Sequence, residues 1–97
     1  MYRPLPSYLT VKPSPVEGLG LFSTKPIEHA TILGISHVSD KFIPNGYIRT
    51  PLGGFINHSM TPNCKTFLEG RLISIITLTD IMEGDELTLK YTFYDPS

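Results

Sequence analysis

Apolar and polar residues alternate in short runs along this chain, and no run is long. Leu9-Thr10-Val11-Lys12 alternates, Pro13, Pro15 and Gly18 mark a turn, and Leu21-Phe22-Ser23-Thr24 resumes an extended stretch. Thr31 to Val38 mixes β-branched residues with a glycine and predicts the next strand. Residues 39–54 are rich in Pro, Gly, Asn and Ser and read as loop. Cys64-Lys65-Thr66-Phe67 and Arg71 to Ile76 predict a hairpin turning at Leu68 to Gly70, with a buried second strand, and Leu87 to Phe93 predicts a last strand. Nine prolines and eight glycines leave pieces too short for ordinary helices, so the fold class is mainly β. One segment repeats: Thr24-Lys25-Pro26-Ile27-Glu28 followed by Ile32 is echoed by Thr79-Asp80-Ile81-Met82-Glu83 followed by Leu87. The echo predicts two similar turn-then-strand units about a pseudo-twofold centre.

Composition narrows the class without changing the fold. At 97 residues, 40% hydrophobic and 18% charged, the chain is one globular domain with a thin core. No apolar run can span a bilayer, and Met1 to Leu9 lacks the apolar stretch of a secretory signal. With the single cysteine, Cys64, this predicts an intracellular protein, in the cytoplasm or nucleus of a host cell. A net charge of −1 gives no basic field for direct nucleic-acid binding. Residues 51–97 are acidic by three, which suits either a basic peptide or a solvated face.

Three segments carry candidate chemistry. Gly18-Leu19-Gly20 is a turn, or a place where bare backbone approaches a ligand and its N–H groups face a carboxylate. Phe55-Ile56-Asn57-His58-Ser59, ending in Pro62-Asn63-Cys64, gathers an amide, an imidazole, a hydroxyl and a thiol. His58 and Cys64 lack the spacing of a zinc site, so no metal is expected, and no elbow surrounds Cys64 as a nucleophile. Gly84-Asp85-Glu86-Leu87-Thr88-Leu89-Lys90-Tyr91 is an amphipathic strand ending in a tyrosine.

In this order the three segments resemble the SET-domain protein-lysine methyltransferases, in a minimal, viral or bacterial-like form. Gly18 to Phe22 is similar to the family's first motif, Phe55 to Cys64 to its most specific signature, and Gly84 to Thr88 with Tyr91 to its C-terminal motif. The resemblance implies a β-clip-like SET-domain fold of short twisted sheets, in which the C-terminal segment threads under the Asn-His loop as a pseudoknot. It implies S-adenosylmethionine as cofactor and a lysine of a protein or peptide as acceptor, a histone among the candidates. By similarity, Gly18, Leu19, Gly20 and Leu21 hold the methionine end of the cofactor with Asn57 nearby. His58 meets the adenine through its backbone, Tyr91 is the catalytic residue, and Leu89 and Phe93 line the lysine channel.

The chain also departs from the family's pattern. Residues 1–97 read as one SET domain, with 1–8 an N-terminal extension and no cysteine-rich zinc segment after the last motif. The insert before the Asn-His motif is short, and Tyr47, in loop-like surroundings, is no convincing counterpart of the middle tyrosine motif. With so little chain to close a channel, and with Phe93 and Tyr94 near the end, a homodimer is expected. Two other readings stay open: a cofactor-binding but weakly active SET-like interaction module, and a non-enzymatic β domain of similar topology.

Overall fold

A computed structural model describes residues 5–16, 18–39 and 47–90, with only the backbone at Ser39 and Tyr47. Tyr91, Phe93 and Tyr94, and the last strand's expected course beyond Lys90, lie outside the described residues.

The short alternating runs form two four-stranded sheets. In the first, β1 (Leu9–Pro13), β2 (Leu19–Ser23), β8 (Glu86–Leu89) and β5 (Asn57–His58) lie in the order β1-β2-β8-β5. In the second, β4 (Tyr47–Arg49), β3 (Ile32–Ser39), β7 (Leu72–Thr77) and β6 (Cys64–Glu69) lie in the order β4-β3-β7-β6. Leu21, Ile75, Ile81, Leu87 and Leu89 are fully buried in the shared core. Leu5 and Tyr8, within the segment read as an extension, pack against it. The hairpin of β6 and β7 turns through Gly70 and Arg71, slightly later than alternation suggested.

The stretch read as loop is structured where it is described. Tyr47–Arg49 pairs antiparallel with β3, and Pro51–Phe55 forms a single helical turn, α1. Thr50 caps it: the side chain accepts from Gly53 N and donates to Ile35 O at 2.6 Å, and Pro51 follows where a missing N–H costs nothing. Gly53 reads as a breaker, yet it is there for packing, since a Cβ would collide with the Ser36 carbonyl of β3.

The echo is real in space but displaced by one residue. Sequence matching sets Ile27 opposite Met82, whereas in the structure Ile27 and Ile81 exchange two backbone hydrogen bonds of 2.8 and 2.7 Å at the centre. Around them the bonds recur at an offset of 54 residues. Ser23 N donates to Asp85 O and Thr77 N to Thr31 O; Gly84 N donates to Ser23 O and Ala30 N to Thr77 O. Each hairpin, β1-β2 or β6-β7, therefore receives the third strand of the other unit.

Candidate functional site

The Asn-His segment is delivered by α1. Ile56, almost fully buried, anchors the end of the helical turn, and Asn57 and His58 then run parallel to β8, opposite Thr88 and Leu89. Two residues make a weak parallel ladder, and three further bonds reinforce it. Ser59 N donates to Leu89 O at 2.8 Å. The Asn63 amide acts as a short substitute strand: Nδ2 donates to Glu86 O at 2.8 Å and Oδ1 accepts from Thr88 N at 2.8 Å. Asn63 thus holds β8 beneath the loop, which is the described part of the pseudoknot. Cys64 is buried in the core, and burial pushes its thiol up to about 12, so it is no thiolate nucleophile at neutral pH.

One carboxylate ties the motifs together. Asn57 Nδ2 donates to Glu86 Oε2 at 2.8 Å and to Leu19 O at 3.1 Å. Ser14 Oγ lies 2.8 Å from both Glu86 oxygens and also accepts from Val16 N at 3.0 Å, within a turn that Ser14 N closes on Gly18 O at 2.8 Å. Gly20 lies over the same carboxylate, where a Cβ would collide with Oε2. A carboxylate does face this motif, but it belongs to the chain. Phe22, opposite Glu86 on β2, is covered by the Lys12 ammonium 4.7 Å from its ring centre.

The predicted site residues divide accordingly. Gly18 stands exposed in the turn at φ +44°, and Leu19 offers its carbonyl with its side chain 51% exposed. Gly20, Asn57 and His58 gather around the end of the first sheet, the His58 side chain outward. Leu21 contributes to the core, its strand paired on both sides. Leu89 is fully buried on the core face with Leu87, because residues two apart on a strand share a face. Ser14, Asn63 and Glu86 received no individual role from the sequence. Asn63 and Glu86 stand inside motifs, whereas nothing local marks Ser14.

The acceptors of the cluster, the Glu86 carboxylate and the Leu19 carbonyl, are met by donors of the chain itself, Ser14 Oγ and Asn57 Nδ2. Among the described residues no group of three His, Cys, Asp or Glu is arranged to hold a metal. Two surface cavities of about 240 and 320 Å³ lie elsewhere, beside the Ile27–Ile81 centre.

The chain belongs to the SET domain family, whose model matches residues 39–92. It is 41% identical over 46 residues to the histone-lysine N-methyltransferase ASHH2 of Arabidopsis thaliana, an overlap covering 43% of this chain and 3% of that protein. It is 36% identical over 62 residues to a SET and MYND domain-containing protein of Dictyostelium discoideum, covering 64% of this chain and 16% of that one. The chain therefore spans only a small part of the length of these relatives. The fold resembles the methyltransferase domain of human PR domain-containing protein 2, with TM-score 0.71 and 23% identity over 88% of this chain and 77% of that one. A candidate histone methyltransferase of Plasmodium falciparum also has TM-score 0.71, at 21% identity, covering 90% of this chain and 95% of that chain.

Proposed function

We propose that this chain is an S-adenosylmethionine-dependent protein-lysine N-methyltransferase. The observation that carries the reading is the meeting of Gly18–Gly20, Asn57–His58 and the strand leading to Tyr91 at one end of one sheet. Family membership and a histone-lysine methyltransferase relative support it and make histone lysines the first acceptors to try. Bound S-adenosylmethionine supplies a methyl group on positively charged sulfur. The backbone of Gly18 to Leu21, with Asn57 nearby, would hold its methionine end, and the β5 backbone at His58 would lie beside its adenine.

A lysine of pKa near 10.4 is neutral in only about one molecule in 2,500 at pH 7. The protein must therefore strip water from the amine, which favours the neutral form. In this reading Phe93 lines the channel that does so, and the Tyr91 hydroxyl orients the amine for in-line attack. A buried, free Cys64 is in keeping with the reducing interior of a cell.

Labelled cofactor incubated with histones, followed by mass spectrometry of the lysines, tests the reading. Tyr91→Phe is expected to lower single-turnover transfer by roughly 100-fold or more, about 2.7 kcal/mol of barrier, with cofactor affinity nearly unchanged. Binding without any transfer by the wild-type protein would instead make it an interaction module.

We also propose a homodimer, supported by the outer face of the second sheet. Ile32, Ile35 and Ile48 are 58%, 38% and 47% exposed there. Lys65, Phe67 and Glu69 share that face on β6, so a twofold axis through Phe67 would set each Lys65 against the partner's Glu69. Light scattering should give twice the 10.8 kDa chain mass, and Ile32→Asp should return it to one chain mass. A single-chain mass for the wild type at micromolar concentration would refute the dimer.

A further inference from the structure

Ile27 and Ile81 exchange their backbone hydrogen bonds as a single antiparallel bridge, which sets Glu28 beside Asp80 and Pro26 beside Met82. All six residues line one surface cavity of about 320 Å³. Ile27 and Ile81 form its buried floor, and Pro26, Glu28, Asp80 and Met82 stand exposed around it. The bridge lies on the local twofold, where Glu28 corresponds to Met82 and Pro26 to Asp80. The backbone repeats there but the side chains do not, so the cavity has an acidic end and an apolar end.

Both ends are held in place. Asp80 Oδ1 accepts from His29 N at 2.9 Å, with the His29 ring Nδ1 3.5 Å away. Glu28 is fixed through its carbonyl, which accepts from Thr31 Oγ at 2.6 Å and from Thr77 Oγ at 2.9 Å. Met82 begins a turn in which its N–H donates to Asp85 Oδ2 at 2.9 Å and Asp85 N donates to Met82 O at 3.0 Å. Two carboxylates side by side across a bridge repel each other. His29 answers Asp80, but among the described residues no cation lies within ion-pair distance of the Glu28 carboxylate. Lys25 instead lies over the Tyr8 ring, 6.0 Å from its centre.

Resting on the methyltransferase reading for its occupant, a polypeptide acceptor, we propose that this cavity docks an arginine side chain of the substrate, apart from the lysine to be methylated. A guanidinium presents five donors in one plane, enough to serve both carboxylates at once, and its aliphatic stem suits Pro26, Met82 and the isoleucine floor. An apolar half and two carboxylates do not suit a divalent cation, which takes six or more oxygen ligands. Glu83 and Asp85, exposed on the turn after Met82, extend the acidic surface along which a basic peptide would lie.

Fluorescence titration of the full chain tests this, using histone-tail peptides and copies in which citrulline replaces one arginine at a time. Citrulline keeps the stem and loses the charge. Replacement at one arginine should weaken binding by about fivefold or more at low salt, the scale of a partly exposed charge pair, and by less at high salt. Glu28→Gln and Asp80→Asn should each cut that cost to about twofold or less, with the thermal midpoint unchanged. Met82→Ser should weaken the arginine and citrulline peptides alike, because it removes apolar cover from the stem. Small, equal costs at every arginine, or a fivefold cost that survives both acid substitutions together, overturn the docking site in favour of diffuse attraction. A peptide with lysine at the decisive position that binds as tightly overturns the guanidinium assignment. Arginine-dependent binding without methyl transfer defeats the methyltransferase reading and leaves the docking site standing, whereas transfer without arginine dependence does the reverse, so the two failures are distinguishable.

Discussion

The two sheets are built alike and used differently. Order β1-β2-β8-β5 in the first matches β6-β7-β3-β4 in the second, and the paired residues Phe22 and Glu86 correspond to Ile76 and Ile32. Leu21 and Ile75 are buried equivalents, as are Leu87 and Leu33. The difference lies at the fourth strand, since β4 runs antiparallel to β3 but β5 runs parallel to β8. Topology makes this unavoidable. The stretch β4-α1-β5 is one connector between the sheets, so the pseudo-twofold maps it onto itself run backwards. Antiparallel pairing at one end then means parallel pairing at the other. The parallel end brings Asn57 to Glu86, whereas the antiparallel end adds an edge strand to the second sheet. The backbone frame is common to both halves, and the candidate chemistry sits where one connector breaks the symmetry.

The largest effects are expected from truncating the equivalent core leucines of the two sheets. Leu33→Ala and Leu87→Ala should each cost about 2–5 kcal/mol in urea unfolding, as buried leucine truncations do. Only Leu87→Ala should also weaken cofactor binding, because Leu87 carries the strand between Glu86 and Thr88. Equal losses of affinity from both would erase the functional asymmetry.

A smaller, pH-dependent difference separates Leu9 and Cys64, which occupy equivalent core positions opposite Ser23 and Thr77. The folded thiol is pushed up to about 12 by burial, above the ordinary thiol value of about 8.5. Its contribution to stability is constant below the unfolded value. It is lost as pH rises from there towards 12, because the unfolded chain ionises first, with a limiting slope of about 1.4 kcal/mol per pH unit. Denaturation from pH 8 to 11 in reductant should show this decline in the wild type and a shallower one in Cys64→Ala. Parallel curves would mean that the thiol is hydrated in the folded protein.

The smallest effect lies in the equivalent turns. Ala30 takes φ +60° where its counterpart Gly84 takes φ +90°. Ala30→Gly should stabilise by about 0.5–1 kcal/mol by relieving left-handed strain, and Gly84→Ala should destabilise by a similar amount. Changes of the same sign for the two variants in chemical denaturation would show that the turns are not equivalent in energy.

Alternation and turn residues by themselves determined the strands: β1, β3 and the β6-β7 hairpin stand within a few residues of where the period-two pattern sets them, because that signal is local. The three motifs were legible for the same reason, as was the echo of the two units. Tertiary structure decided the rest. Gly53 looks like a breaker until Ser36 packs against it, so the helical turn that carries Asn57 read as loop. The echo slipped by one residue because backbone bonding, not residue identity, sets its centre at Ile27 and Ile81. Resemblance gave Leu89 a channel role, while its full burial beside Leu87 is a fact of the folded core that alternation alone does not assign to either face. Ser14, Gly20, Asn57 and Glu86 meet only after the chain has crossed between its sheets, and contacts so distant in sequence leave no periodic trace. A local pattern can specify strands and turns, but only the folded topology could bring one carboxylate against three separate segments.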